Sequence, residues 1–396
     1  MLERFERGVV VAGEIGVASP RKSMRIDLVI TELDTGGAEK CCTQLALFLA
    51  RQGHRVRVIA LGPPPPSTKG TLLRMLEAEK IETHFLGGDR WWKFPRIAAK
   101  LKRLVQEDRP DVVQSFLWHA NVLSAWVVPR FRVPLFLGVR VAEPRTLRFV
   151  FDRWATSRCT KTICVSQGVA DWCVNTEKMD SRKMLVIPNG IATDRQATEI
   201  ALGSHQVPEG AQILLFVGRL ELQKGIDILS QYGEDLLSRL PEHHLVVIGD
   251  GSMRPLLETL SCRPKLVGRV HCLGQRSDVR AWMARSELLL LPTRYEGMPN
   301  VVLEAMSVGL PVIATRAEGV AELLGEQADV QSVPKDAWKE LFDRVVVLSK
   351  SPAERKKACQ ANLERVASEF ALEKQLSKYE LLYLSSVDDS GKLKRK

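Results

Sequence analysis

No apolar run in this chain approaches the ~18–20 residues of a membrane-spanning helix. Its eight cysteines, at 41, 42, 159, 164, 173, 262, 272 and 359, include no C-x-x-C pair. No His/Cys group has zinc-finger spacing either, which argues against a metal finger or a disulfide scaffold. Most of these cysteines fall inside apolar stretches, as buried free thiols do, and a reducing cytoplasm fits them best. The first residues, Met-Leu-Glu-Arg-Phe-Glu-Arg, mix acids with bases before a short apolar run at Val9–Ala12, unlike a secretory signal. No recognised nucleic-acid motif accompanies the basic charge.

What remains is an ordinary globular composition over 396 residues, 45% hydrophobic and 26% charged, enough for two or three domains. The net charge of +10 is uneven. Residues 1–200 hold 31 basic and 21 acidic side chains, whereas residues 201–396 hold 26 of each. A basic half suits either a solvated face or an anionic partner.

Short apolar runs alternate with amphipathic segments from Arg25 onward, the pattern of α/β layers on a largely parallel sheet. Strands are expected at 25–31, 55–60, 112–116, 135–139, 161–165 and 184–187. After a weak stretch near 191–211 they resume at 212–217, 244–248, 270–273, 287–291 and 311–314. Ala38, Cys42, Leu45, Ala46 and Leu49 mark a helix after the first strand. Residues 337–384 read as consecutive helices. The division is a mobile extension at 1–23, a Rossmann-like domain at 24–195 and a linker at 196–210. A second Rossmann-like domain follows at 211–365, then a helix at 366–385 able to pack back on the first domain, and a basic tail at 386–396. Such sheets bind ligands beyond their strand carboxyl ends, here in the cleft between two domains.

Four loops at strand ends carry candidate chemistry. In Gly218–Gly225, Lys224 is expected at the start of a helix, where a cation makes sense beside a bound anion. Arg219 can offer a forked donor to the same phosphate. The alternative is two surface cations at a turn. Gly249-Asp250-Gly251 allows a tight bend, and Gly274-Gln275-Arg276 forms a plausible lip for a base. The fourth loop, Tyr295–Ala305, places Pro299 in a first helical turn and leaves amides near Gly297, Met298 and Asn300 free for an anion. Val302, Ala305, Met306 and Gly309 make its apolar face, and Asn300, Glu304 and Ser307 a polar one. Glu296 stays in the loop. In the first half, Gly36-Gly37-Ala38-Glu39 opens a helix with amides able to face phosphate. His119 and Arg140 follow two strands at the cleft edge, where a structural histidine is equally in keeping with the pattern.

These pieces resemble glycosyltransferase family 4, GT-B-fold enzymes that use nucleotide-diphosphate sugars. The matching segments are GGAE at 36–39, VSQGVADW at 165–172, IPNGI at 187–191 and GRL…KG at 218–225. GDGSMRPLLE at 249–258 and EGMPNVVLEAMSVGLPVIAT at 296–315 complete the set. The resemblance implies a GT-B α/β architecture of two doubly wound domains and a retaining hexosyl or N-acetylhexosaminyl transferase. Arg219 and Lys224 would bind the donor diphosphate, Glu296 the sugar hydroxyls, Glu304 the ribose, and His119 would lie near the reacting sugar. Gly36, Gly37, Gly218, Gly249, Gln275, Arg276, Gly297, Met298, Pro299, Asn300 and Val301 would complete the donor site, with Arg140 on the acceptor side. The chain contains no Asp-x-Asp motif, so fixed cations and helix amino ends would take the place of a metal. No cofactor is expected beyond the nucleotide sugar, with UDP favoured by family prevalence.

The implied acceptor is a glycan or polyprenyl-diphosphate-linked sugar in cell-envelope synthesis, handled at the inner face of the cytoplasmic membrane. Asp89–Arg103, with Trp91 and Trp92 beside bases, could either dock on anionic lipid or pack on its own domain. A sugar-nucleotide epimerase and a non-catalytic sugar-nucleotide scaffold are the competing readings.

Overall fold

The computed structural model describes residues 23–34, 36–67, 70–88, 93–192, 207–208 and 210–387. The extension at 1–22, Trp91, Trp92, most of the linker and the tail from 388 therefore lie outside the described residues. Two parallel sheets organise the rest. The first contains β1 (Arg25–Ile30), β2 (Arg55–Ala60), β3 (Glu82–Phe85), β4 (Val112–Phe116), β5 (Leu135–Val139), β6 (Lys161–Cys164) and β7 (Met184–Val186). The second contains β8 (Gln212–Val217), β9 (His243–Ile248), β10 (Val270–Cys272), β11 (Leu288–Leu291), β12 (Val312–Thr315) and β13 (Ser332–Val333).

The strand orders are β3-β2-β1-β4-β5-β6-β7 and β10-β9-β8-β11-β12-β13. In each, consecutive pairing runs outward in one direction and then jumps back to the centre. The jump leaves a switch point between β1 and β4, and another between β8 and β11. Helices leaving on opposite faces at such a point open a crevice above the strand ends.

The expected strands form, with ends displaced by about one residue. β3 and β13 were not anticipated. β3 reads Glu-Thr-His-Phe, with no fully buried residue, so an edge strand held mainly by its pairing with β2 offers no apolar signature. β13 is only two residues long.

The first sheet carries separate cores on its two faces. On one, the helix Gly37–Arg51 buries Cys42, Leu45, Ala46 and Leu49. On the other, helices Phe94–Asp108, Trp118–Val127 and Phe149–Ser157 cover Val29, Val113 and Leu137.

The expected boundary at 365/366 falls inside the helix Pro352–Glu369. The chain crosses back to the first domain at Phe370–Ala371, where Ile191 donates to the Phe370 carbonyl and accepts from the Leu372 amide. The final helix, Leu372–Ser386, then buries Leu376, Tyr379 and Tyr383 against the first domain. Tyr383 lies 5.5 Å from the Phe136 ring and donates from its hydroxyl to Gln114 Oε1 at 3.2 Å. Burial holds its phenol neutral. His54, equally enclosed, meets Glu380 of the same helix at 3.2 Å. Tyr383→Ala should therefore lower the unfolding free energy of the first domain by about 3–5 kcal/mol. Tyr383→Phe should cost about 1 kcal/mol. Urea unfolding of both variants measures the difference.

Candidate active site

The loops flanking the two switch points bring most of the chemically notable residues together. Gly36 and Gly37 follow β1, and His119 follows β4. Arg219 and Lys224 follow β8, and Glu296 follows β11.

Lys224 is not at a helix start. It ends a single 3-10 turn, Leu222–Lys224, after which Gly225 turns left-handed at φ 71° and the helix begins at Ile226. A Cβ on Gly225 would fall 1.8 Å from the Pro292 carbonyl oxygen, so glycine is needed for space as well as for conformation. The turn aims Lys224 across the switch point, where its Nζ meets Glu296 Oε1 at 2.5 Å. Both side chains are largely buried. Thr293 Oγ1 donates to the same carboxylate oxygen at 2.8 Å. Arg219 is more open and donates to Gln223 Oε1 at 3.1 Å, while Gln223 donates to the Tyr295 carbonyl. These bonds fix the β8 loop against the β11 loop.

Pro299 precedes the helix instead of joining its first turn. It is the N-cap, and the helix runs Asn300–Ser307 with no side-chain cap. Val302, Ala305 and Met306 are buried as expected, and Gly309 lies beyond the helix end at φ 76°. The helix Gly37–Arg51 likewise starts without a side-chain cap. The two amino ends meet across the cleft: a Cβ on Gly37 would be 3.1 Å from Asn300 Nδ2. Each end carries roughly half a positive charge, and at the Gly37 end the buried Glu39 carboxylate folds back against Gly36 and accepts from its own amide.

The two domains are stitched together beside this point. Gly297 is so close to the first domain that its Cβ would fall 1.8 Å from the Arg140 carbonyl oxygen. Ser166 Oγ donates to the Gly297 carbonyl at 2.8 Å, and Ala142 donates to the Glu296 carbonyl at 3.0 Å. Glu322 reaches from the second domain to accept from the Gln167 and Gly168 amides, at the amino end of a first-domain helix. Asn189 donates to the Met298 carbonyl and to Asn300 Oδ1. Arg140, expected on the acceptor side, is placed in this seam, where its guanidinium donates to Asn189 Oδ1 at 2.5 Å and contacts Cys41 Sγ.

A cavity of about 520 Å³ opens next to the meeting helix ends. Lys40 and Gln44 line it from the first domain, and Arg276, Asn300, Leu303 and Glu304 from the second. Its size suits a small organic ligand. Lys40 bridges it to Glu304 at 2.9 Å. Arg276 is held flat by a two-pronged pair with Asp278, both contacts at 2.6 Å. Gln275 is exposed beside it. Gly249 Cβ would fall 1.9 Å from the Gly218 carbonyl oxygen, and Gly218 donates to the Ile248 carbonyl, so these two glycines bring the β8 and β9 loops together. Val301 lies within the first turn of the Asn300 helix.

His119 sits in the first turn of its helix, just after Leu117, whose φ of 71° is a strained conformation for leucine. Its ring lies edge-on to Trp118 at 5.0 Å. Burial, then Arg148 and Arg145, lower its basicity below the usual value of 6.5. Burial, then Glu143, raise the Tyr295 phenol, and Arg145 and Arg219 oppose the shift. Local pattern did not reveal Lys40, Asn189, Thr293 or Glu322, although Asn189 falls in the IPNGI segment. No three His, Cys, Asp or Glu side chains among the described residues are grouped as metal ligands.

Residues 35–195 match the model described as Glycosyltransferase Family 4, and residues 211–351 the model described as Glycosyl transferases group 1. The chain belongs to glycosyltransferase family 4. This family member is 26% identical over 288 residues to a lipopolysaccharide core biosynthesis glycosyltransferase of Rhizobium meliloti, covering 72% of this chain and 77% of the relative. It is 25% identical to an Escherichia coli UDP-Gal:alpha-D-GlcNAc-diphosphoundecaprenol alpha-1,3-galactosyltransferase, over 55% of this chain and 61% of that one. The solved Anabaena HepE, in complex with UDP and glucose, superposes with a TM-score of 0.78 at 19% identity, over 91% of this chain and 100% of the other. The fold is GT-B, and the protein is a glycosyltransferase.

The depressed basicity of His119 has a testable sign. Its folded value lies below the unfolded 6.5, so its contribution to stability is complete above 6.5 and is lost as pH falls through the folded value. In a ring-proton NMR titration, His119 should have a midpoint below that of an exposed histidine, and Arg148→Ala should raise it.

Proposed function

We propose that this transferase moves a hexosyl or N-acetylhexosaminyl group from a nucleotide-diphosphate sugar to a lipid-linked glycan acceptor, with retention of configuration and without a metal ion. The observation that carries the reading is the meeting of two helix amino ends that have no side-chain cap, next to a cavity of about 520 Å³, with Lys224 paired to Glu296 in the loop that leads into the Asn300 helix. A diphosphate carries the charge this arrangement favours, and two fixed cations supply the neutralisation a divalent ion would otherwise give.

In this reading Glu304 accepts the ribose hydroxyls within the 520 Å³ cavity, Arg276 lies near the base, and the diphosphate spans from Gly36 and Gly37 to Asn300 and Val301. Glu296 holds sugar hydroxyls and keeps Lys224 aimed at the departing phosphate. As the anomeric C–O bond to the diphosphate breaks, the acceptor oxygen bonds to the same face of the sugar. The acceptor proton passes to a leaving-group phosphate oxygen. His119, largely neutral at pH 7, adds no positive charge beside the developing oxocarbenium centre. UDP is the favoured carrier, supported by the UDP-using E. coli relative and the UDP-bound HepE. The lipopolysaccharide and diphosphoundecaprenol substrates named for the relatives support a cell-envelope acceptor, met at the inner face of the cytoplasmic membrane. No helix among the described residues is long and apolar enough to cross a membrane.

Lys224→Ala and Arg219→Ala should each lower kcat by about 10²–10³ in an assay of sugar transfer in EDTA. Removing Lys224 leaves Glu296 unpaired, so Lys224→Ala/Glu296→Gln serves as the folding control and should be equally slow. Glu304→Ala should weaken nucleotide binding by about tenfold, the worth of one charge-assisted hydrogen bond, with a smaller effect on kcat. Near-normal turnover in the two cation variants would reject the phosphate site.

A further inference from the structure

Among the described residues lining the cavity, the first domain contributes one charged side chain, Lys40. Its position runs against helix electrostatics. Lys40 is the fourth residue of the helix Gly37–Arg51, and its amide donates to the Gly36 carbonyl at 3.0 Å, so it closes the first turn. A cation there is disfavoured by the helix dipole unless an anion lies close by. Helical side chains lean toward the amino end, which leaves the Lys40 stem one turn from the point where Gly37 meets Asn300.

The first helix end cannot hold a phosphate with backbone charge alone. The buried Glu39 carboxylate folds back against Gly36 there, so an acid already occupies that turn. Arg140, the other cation near it, is held in the seam by Asn189. Lys40 is therefore the first-domain charge that faces the cavity. Of the charged side chains described around that space, Lys40, Arg276 and Arg280 are basic and Glu304 alone is acidic.

Lys40 Nζ donates to that one acid, Glu304 Oε1, at 2.9 Å across the two domains. The two side chains are 49% and 29% exposed, against 14% and 7% for Lys224 and Glu296. An ion pair this open to water contributes little and is readily exchanged. Lysine also suits exchange, being a compact charge with three donors on a flexible stem.

We propose that Lys40 is a donor-binding residue that changes partners. Without ligand it occupies the Glu304 carboxylate. With a nucleoside diphosphate in the cavity it moves to a phosphate oxygen and leaves Glu304 to the ribose hydroxyls. This rests on the donor-site reading above and adds to it a first-domain cation and the exchange that brings it into play. A nucleoside alone must break the pair and gives the ammonium nothing in return. A nucleoside diphosphate replaces one carboxylate contact with a more highly charged partner. The pair thus discriminates against ligands that lack phosphate.

The test compares the full chain with its Lys40→Met variant, which keeps the stem and removes the charge, in EDTA. Calorimetry gives the affinities for UDP, GDP and ADP, and ligand-observed NMR gives that for the nucleoside of the tightest binder. In Lys40→Met the nucleoside should bind about twofold more tightly, because Glu304 is released. The diphosphate should bind about tenfold more weakly, because a charge-assisted contact is lost. Lys40→Arg, which retains a cation, should stay within about threefold of wild type for both ligands. A merely structural role does not move the two affinities in opposite directions. A shift of both in one direction, or an unchanged affinity for either ligand, in Lys40→Met would overturn the exchange while leaving the donor site in place. Failure of the wild type to bind any of the three diphosphates would instead reject the donor-site reading, and the exchange with it.

Discussion

Two helix amino ends meet across the cleft, and their like partial charges repel unless an acidic group lies beside them, as the buried Glu39 does at the first. The helices Gly37–Arg51 and Asn300–Ser307 bring like partial charges to within a side chain's reach. Contacts beside them keep the domains from parting. Gly297 lies directly under the Arg140 carbonyl, Asn189 spans to Met298 and Asn300, and Glu322 covers the amides of Gln167 and Gly168. The seam thus organises a region of positive potential before any ligand arrives, which is the preorganisation that charge-stabilising catalysis requires.

In the proposed reaction, Lys224 and Glu296 are the residues that would put this potential to chemical use. Their close, mostly buried contact, with Thr293 on the same oxygen, fixes both side chains without a partner from solvent. A lysine so held cannot swing away from the site, and a carboxylate so held presents its remaining acceptor capacity in a defined direction. Lys40 and Glu304 form a looser counterpart across the cavity beside the helix ends, each partly open to water. A ligand competes more readily with that exposed pair than with the enclosed one.

Much of this was legible in the residue pattern. Continuous apolar runs marked the central strands because both sheet faces are covered, and strand-end loops then located Lys224, Arg219, Glu296 and His119. The rest was hidden for physical reasons. β3 is a half-exposed edge strand with no apolar run, and β13 is two residues long. Lys224 was expected at a helix start because the left-handed Gly225, crowded by Pro292, inserts a 3-10 turn that periodicity does not register. Pro299 was expected one position too far into its helix. The bond that Arg140 makes to Asn189 in the seam was not legible, since Asn189 is brought to it only by folding. Lys40 and Glu322 act on partners more than 150 residues away, and no local window contains such pairs.

The claim that a diphosphate seats between the two helix ends, beside Lys224 and Arg219, is tested most directly by calorimetric titration in EDTA with UDP, GDP and ADP and their monophosphates. The account predicts that at least one diphosphate binds, and at least about tenfold more tightly than its own monophosphate, because the second phosphate reaches the cations and free amides. Equal affinity for the two forms, or binding that appears only when a divalent ion is added, would contradict it.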